Sequence, residues 1–369
     1  MSDSFEVSLG THLMSGIVHH ARPFWRWLGN FESRLVRKQI EQTPIIKPIY
    51  VAGLARSGTS ILIEILASHP QIATHQYRDF PFLFIPYWWR QTLDRSAPPN
   101  AEAEERAHGD RLMVTPQSPE AMEEVLWMAF FRSLHDSRLP NRLDAESSNS
   151  SFEKFYRDHI RKLLLISGRQ RYAAKGNYNL TRLEYLLKLF PDARFVLPVR
   201  RPREHIASLI KQHELFSSAA ARHPRSIAHL DRVGHFEFGA HRHCINADGR
   251  REIIESIEAL WRQGDHVRGW ARYWATLYRW VAARLRSNES LNRATLIVRY
   301  EELCDRPAES LAQVFKHCDL PDPSGEIIPQ WSPRLSRPTY YAPKFTAPEE
   351  QAIAEETDGV AAELGYTDK

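Results

Sequence analysis

The stretch Gly53-Leu-Ala-Arg56-Ser57-Gly58-Thr59-Ser60 holds the most chemically directed spacing in the chain. Its two glycines let the backbone curl so that successive N–H groups point inward. A short apolar run, Pro48-Ile-Tyr-Val-Ala52, precedes it, and Ile61, Leu62, Ile65 and Leu66 follow at helical spacing until Ser68-His69-Pro70. The free donors and positive dipole end of that helix face the same point. Strand, loop and helix form an anion cradle, with Arg56 as a cation inside it. A simple glycine turn is the plainer alternative.

A second concentration of charge lies in Phe195-Val-Leu-Pro-Val-Arg200-Arg201-Pro202-Arg203-Glu-His-Ile-Ala-Ser208. Arg194 to Val199 reads as a strand, although Pro198 cannot donate to a ladder. Arg200 then stands at a strand's C-terminal end, where open α/β sheets hold ligands. Pro202 suits the first turn of a helix, and Ser208, two turns in, can donate to the same anion. Otherwise Arg200 and Arg201 are solvated charges beyond a strand end.

The loop resembles the Walker A pattern GxxxxGK[ST] with one difference. Thr59 follows the second glycine where lysine is expected, and the cation sits at Arg56. Phosphoryl-transfer sites keep that lysine and add a magnesium-holding acid at a neighbouring strand end. Here the neighbouring strand ends in Val199-Arg200-Arg201, which repels magnesium. Gly53 to Ser60 also resembles the 5′-phosphosulfate loop of the sulfotransferases, Gly-x-x-[Arg/Lys]-Ser-Gly-Thr-[Thr/Ser]. The strand followed by Arg200, Pro202 and Ser208 resembles that family's second phosphate element. Ser68-His69-Pro70, Lys175 ahead of Phe190-Pro191-Asp192-Ala193, and Arg299-Tyr300-Glu301-Glu302-Leu303 are similar to the bacterial branch. Arg201 departs from a commonly acidic position, Pro198 interrupts the strand, and no glutamate directly follows the loop helix.

The resemblance implies 3′-phosphoadenosine 5′-phosphosulfate as co-substrate and no metal. It places Gly53, Arg56, Ser57, Gly58, Thr59 and Ser60 around the 5′-phosphosulfate, and Arg200 and Ser208 on the 3′-phosphate. It implies transfer to a hydroxyl or amine of a small molecule, carbohydrate or glycolipid. The base for such a reaction must lie within hydrogen-bond reach of the acceptor. Asp79, in Tyr77-Arg78-Asp79-Phe80-Pro81, is the first candidate; pairing with Arg78 or capping a turn is its structural alternative. His75 and His213 are rivals, because imidazole titrates near neutral pH. Lys175, in a loop before a helix, offers a second catalytic cation or is a surface lysine. His235, His241, His243 and Cys244 cluster in sequence, but their spacing matches no zinc finger. Two other functions stay open: a P-loop nucleotide or small-molecule kinase, and a phosphoadenosine-binding protein without catalysis.

Positioning these groups calls for strands alternating with helices, hence a P-loop-like three-layer α/β fold with a central parallel sheet and helical insertions. Thr295-Leu-Ile-Val298 is a further strand. Helices are expected from Pro119 to Leu134, Phe152 to Ile166, Leu180 to Leu189 and Pro307 to His317. Trp270, Tyr273, Trp274, Leu277, Tyr278 and Val281 form a helical stripe most simply read as core. Residues 1–44, with Phe24, Trp25, Trp27 and Phe31, form an N-terminal helical extension packing on the body. Residues 45–369 form one domain, with lid-like insertions near 90–120 and 216–251.

At 369 residues with 49 Lys+Arg against 45 Asp+Glu, the chain is globular and mildly basic. Scattered arginines without a basic-aromatic module argue against nucleic acid. The most apolar stretch, Phe80 to Trp89, is broken by Pro81 and Pro86, so no transmembrane segment is expected, and peripheral membrane contact stays open. Three cysteines and no leader-like apolar core point to a reducing, cytoplasmic setting.

Overall fold

The computed structural model describes residues 5–96, 102–110, 112–322, 325–338 and 343–366. Its central sheet has five parallel strands: β1 (Ile49–Val51), β2 (Ile72–Ala73), β3 (Arg171–Lys175), β4 (Arg194–Val199) and β5 (Thr295–Arg299). They lie in the order β2-β3-β1-β4-β5, which puts β1 between β3 and β4. The chain therefore leaves β3 and β4 on opposite sides of β1, and a crevice opens beyond their carboxyl ends. The expected mixed α/β fold with a parallel sheet is present.

Side chains of β1 alternate between two layers. Ile49 and Val51 join Leu62, Leu66 and Val196 on one face, while Tyr50 joins Phe195 and Tyr172 on the other. The first layer is covered by α3 (Thr59–Ala67) and the helix Pro307–His317. The second is covered by α5 (Ser150–Ser167), α6 (Pro202–Arg222) and α8 (His266–Ser287). Trp270, Trp274 and Tyr278 of α8 are core, as their spacing suggested. Pro198 is accommodated because β1 reaches only Val196 of β4, so the missing N–H breaks no bond to that neighbour.

Several boundaries differ from expectation. The helix expected over 119–134 is confined to Glu124–Phe130. The Leu180–Leu189 stretch begins as a 3₁₀ turn, Asn177–Thr181, before Leu183–Leu189. The 90–120 insertion starts with α4 (Pro86–Ser96) and contains a small antiparallel pair, Glu104–Glu105 with Met113–Val114. Its residues 97–101 and 111 lie outside the described residues. The 216–251 insertion continues α6 and then forms α7 (Pro224–Val233). At the N-terminus α1 (Leu9–His20) and α2 (Arg22–Leu35) are helical and pack on the body as expected, α2 against α5 through Glu32 and Lys162, but not chiefly through the aromatic side chains. Phe24 and Trp27 are exposed, Phe31 is exposed with its ring edge against Trp88, and Trp25 packs on Phe82. Among the described residues no helix is long and apolar enough to cross a membrane.

Candidate functional site

The loop after β1 is held by contacts that explain its residue types. Gly58 caps α3 with φ +106, a conformation that favours glycine, and a Cβ there would lie 2.7 Å from the Tyr300 ring. A Cβ on Gly53 would meet Ser57 Oγ at 2.6 Å and the Pro198 carbonyl at 2.9 Å, so the loop closes onto β4 only with glycine. Arg56 itself has φ +73, a strained state for a long side chain. A buried relay holds the turn from beneath. Trp274 Nε1–H donates to His205 Nδ1 at 3.1 Å, which leaves His205 Nε2–H to donate to the Ala55 carbonyl at 2.8 Å. Burial pushes the His205 imidazole down to about 3, so it stays neutral and the relay keeps this sense.

Cations converge on the loop. Arg56 Nη1 pairs with Asp110 at 2.7 Å, and Arg56 Nε donates to Ser208 Oγ at 3.3 Å. Arg106 binds the same Asp110 carboxylate through two nitrogens and donates to Ser60 Oγ at 2.9 Å. Lys175, the last residue of β3 rather than part of a loop, donates to Ser60 Oγ at 3.0 Å and to Glu120 at 2.8 Å. Burial alone would raise the Asp110 carboxyl, but Arg106 and then Arg56 hold it far below the carboxylate range. Burial likewise opposes ionisation of Glu120, yet Lys175 and Arg106 keep it at about 2. Burial, then Glu120, pushes the Glu64 carboxyl on α3 up to about 7.

The cradle opens on a cavity of about 900 Å³. Arg56, Thr59, Ser60, Lys175, Arg106 and Glu120 lie on the polar side. Phe5, Phe80, Phe216, Leu230, Val233 and Phe238 supply an apolar side. Both insertions line it, the first through Glu102, residues 104–108, Val114 and Thr115 and the second through α7 and Gly234 to Phe238.

The second element arrives where its position in sequence suggested. Arg200 follows β4 directly, is buried, packs its guanidinium 5.1 Å from the Tyr300 ring centre and donates to the Arg56 carbonyl at 3.5 Å. Ser208 is buried on α6 against Arg56. Arg200 and Ser208 therefore meet the loop, although neither lines the cavity. Gly53, Ser57 and Gly58 shape the turn from behind it, Ser57 being fully buried.

Asp79 requires a correction. Arg90 clamps both its oxygens, at 2.9 and 2.6 Å, the Gln76 N–H donates at 2.8 Å, and His75 Nδ1 lies 3.3 Å away. Against the cost of burial, Arg90 and His75 hold its carboxyl far below the usual range. A carboxylate so held is a poor base and does not line the cavity. Its structural role is to fix the turn before Phe80. His75 is buried between Asp79 and His159, whose Nε2 lies 3.0 Å from its own. His213 accepts from the Gly239 N–H at 3.2 Å and is lowered to about 4 by burial, then by Arg242. Neither lines the cavity. His241 pairs with Asp231 while His243 stacks on Phe236, and among the described residues no group of three or more His, Cys, Asp or Glu could hold a metal ion.

Sequence reasoning missed Glu120, Arg106 and Asp110. Their only signal was charge in the irregular 102–120 stretch, which carries no period to assign a direction.

No curated protein matches the chain. Among solved structures it is similar to sulfotransferase STF9 from Mycobacterium avium, at 17% identity over 92% of this chain and 82% of that one, with a TM-score of 0.49. It is also similar to sulfotransferase STF1 from Mycobacterium tuberculosis H37Rv, at 16% identity, 91% and 81% coverage and a TM-score of 0.46. A sulfotransferase from Alicyclobacillus acidocaldarius aligns at 15% identity, 87% and 95% coverage and a TM-score of 0.39. A model of the sulfotransferase family matches residues 48–248, from β1 through the cradle, β4 and Ser208. More than half of the chain is matched, and the match spans the glycine loop and the Arg200–Ser208 junction: the chain belongs to the sulfotransferase family and is a sulfotransferase.

Proposed function

We propose that the enzyme moves the sulfuryl group of 3′-phosphoadenosine 5′-phosphosulfate to a hydroxyl of an amphiphilic, glycolipid-like acceptor, without a metal. The observation that carries the reading is the convergence of Arg56, Arg106 and Lys175 on the glycine-bounded cradle and Ser60, with Arg200 and Ser208 against the same loop. In this reading the loop N–H groups with Thr59 and Ser60 hold the 5′-phosphosulfate, and Arg200 and Ser208 hold the 3′-phosphate. The tight packing at Gly53 and Gly58 fixes the loop in the curl that points its N–H groups toward the anion. Asp110 stands in for that anion on Arg56 and Arg106, and the donor displaces it.

Glu120 takes the place first assigned to Asp79. It is ionised at neutral pH, faces the cavity and lies beside Lys175. As the acceptor oxygen bonds to sulfur, its proton becomes acidic and passes to Glu120, so even a weak base suffices. The bond from sulfur to the phosphate oxygen breaks, and Arg56 and Lys175 meet the charge left on the phosphate. The products are a sulfate ester and 3′-phosphoadenosine 5′-phosphate. The apolar wall of Phe80, Phe216, Leu230 and Phe238 favours an acceptor with a hydrophobic part beside its hydroxyl. Residues 45–369 act as one domain, with 90–120 and 216–251 as its lids and a cytoplasmic, reducing setting for its three free cysteines.

Calorimetric titration tests the donor. 3′-Phosphoadenosine 5′-phosphate should bind equally with and without magnesium, and more tightly than ATP. Tighter binding of magnesium-ATP would overturn the reading in favour of a kinase.

A further inference from the structure

The two N-terminal helices turn most of their large apolar side chains outward. On α2 the residues turned into the protein are Gly29, Glu32 and Ser33, and Glu32 is fully buried in an ion pair with Lys162 at 2.7 Å. Its outer face carries Phe24, Trp27, Phe31 and Leu35, at 39 to 59% exposure, with Trp27 and Phe31 stacked on each other. On α1 the inward side holds Ser15, whose hydroxyl accepts from Arg232, and Gly16 against the same guanidinium. Leu9, Leu13, Met14 and Ile17 face outward. Eight of the eleven large hydrophobic side chains recorded as exposed among the described residues lie on these two helices. A helix in water buries its apolar stripe and shows its polar face; here Val18 and Trp25 turn apolar side chains inward but the larger apolar stripes face out, so the outer faces fit an apolar medium.

The charges say which medium. Between Glu6 and Glu41, which pairs with Arg37 at 2.7 Å, the chain has Arg22, Arg26, Arg34, Arg37 and Lys38, and the only carboxylate inside that span is the buried Glu32. Arg34, Arg37 and Lys38 are exposed beside Leu35 at the end of α2. A second copy docked on this face would bring the two basic ends into one interface, whereas anionic headgroups would neutralise them. Tryptophan and phenylalanine flanked by arginine and lysine are the side chains that settle at a lipid–water boundary. With 12 and 14 residues, α1 and α2 are too short to span a bilayer and long enough to lie in its surface.

We infer that the outer faces of α1 and α2 seat the enzyme on an anionic lipid bilayer. The seat adjoins the cavity: Phe5, Val7, Ser8 and Thr11 line it, and Arg225 and Arg232 of α7 tie Val7 and His12 to its wall. The bilayer face and the cavity thus share the start of α1, which lets an amphiphile pass from one to the other.

Co-sedimentation of the full chain with vesicles tests this without donor or acceptor, so its failure leaves the sulfotransfer reading standing. Wild-type protein should pellet with vesicles of phosphatidylcholine and phosphatidylglycerol in equal parts, much less with phosphatidylcholine alone, and less as salt is raised. Trp27→Ser with Phe31→Ser should weaken vesicle binding at least about ten-fold. Arg34→Gln with Lys38→Gln should remove most of the preference for phosphatidylglycerol. All four side chains are exposed, and unchanged thermal unfolding would show that the variants fold. Absence of binding to either vesicle overturns the inference. So does a wild-type dimer in light scattering that the aromatic variant converts to monomer, which would make the face a contact between copies.

Discussion

Replacing His205 with phenylalanine asks whether the glycine loop is held from below. The ring volume is kept, so the change isolates two buried hydrogen bonds: Trp274 Nε1–H to Nδ1 at 3.1 Å, and Nε2–H to the Ala55 carbonyl at 2.8 Å. Each group left unpaired in the core costs about 1–3 kcal/mol. His205→Phe should therefore lose roughly 2–6 kcal/mol, a large part of the 5–15 kcal/mol typical of a folded domain. Ala55 adjoins the strained Arg56, so affinity for 3′-phosphoadenosine 5′-phosphate should fall with stability. Acidification supplies an independent check. An unfolded histidine takes up a proton near its ordinary value of 6.5, whereas His205 stays neutral down to about 3. Its contribution is complete above about pH 6.5 and is lost as the pH falls toward 3, with a slope of up to about 1.4 kcal/mol per pH unit. Urea unfolding followed across this range, for wild type and variant, reads both effects. Unchanged stability at neutral pH, or an acid slope identical in the two proteins, would refute the relay.

Three further outcomes follow from the site. Arg200→Ala should weaken 3′-phosphoadenosine 5′-phosphate far more than adenosine 5′-phosphosulfate, by about 1.5–3 kcal/mol or roughly 10- to 150-fold; equal losses in calorimetry would show that Arg200 does not read the 3′ position. Asp110→Asn removes the carboxylate that occupies Arg56 and Arg106, and should tighten nucleotide binding on the order of ten-fold; weaker binding would mean that Asp110 supports the cradle instead. Glu64 rises to about 7 in the fold, so its neutral form contributes stability at low pH that is lost as the pH rises through 7. Glu64→Gln should thus be more stable than wild type at about pH 8, with the difference closing below about pH 5, as thermal unfolding will register.

The glycine loop and the Arg200–Ser208 junction were legible in the sequence because each is contiguous. Strand, glycine turn and helix start occupy residues 48–67, and Arg200 and Ser208 share one strand–helix junction, so local rules fix their geometry. Asp79 was misread because its deciding partner, Arg90, comes from a different helix, and no local pattern reports that clamp. Glu120 and Arg106 were invisible for a related reason: they sit in loop, and only packing brings them to Lys175 and Ser60. On α1 and α2 the helical spacing was readable, but spacing has no inside or outside. The burial of Glu32 with Lys162, 130 residues away, turned the aromatic face outward.

Transfer itself is the most direct test. Enzyme incubated with 3′-phosphoadenosine 5′-phosphosulfate carrying radiolabelled sulfur, and with a hydroxyl-bearing glycolipid, is followed for label entering the organic phase, without magnesium. Wild-type protein should transfer label. Glu120→Gln should keep its affinity for 3′-phosphoadenosine 5′-phosphate while transfer falls on the order of 10²–10⁴-fold. Normal transfer by that variant would contradict Glu120 as the base, and no label transferred by the wild type while magnesium-ATP is turned over would contradict the account as a whole.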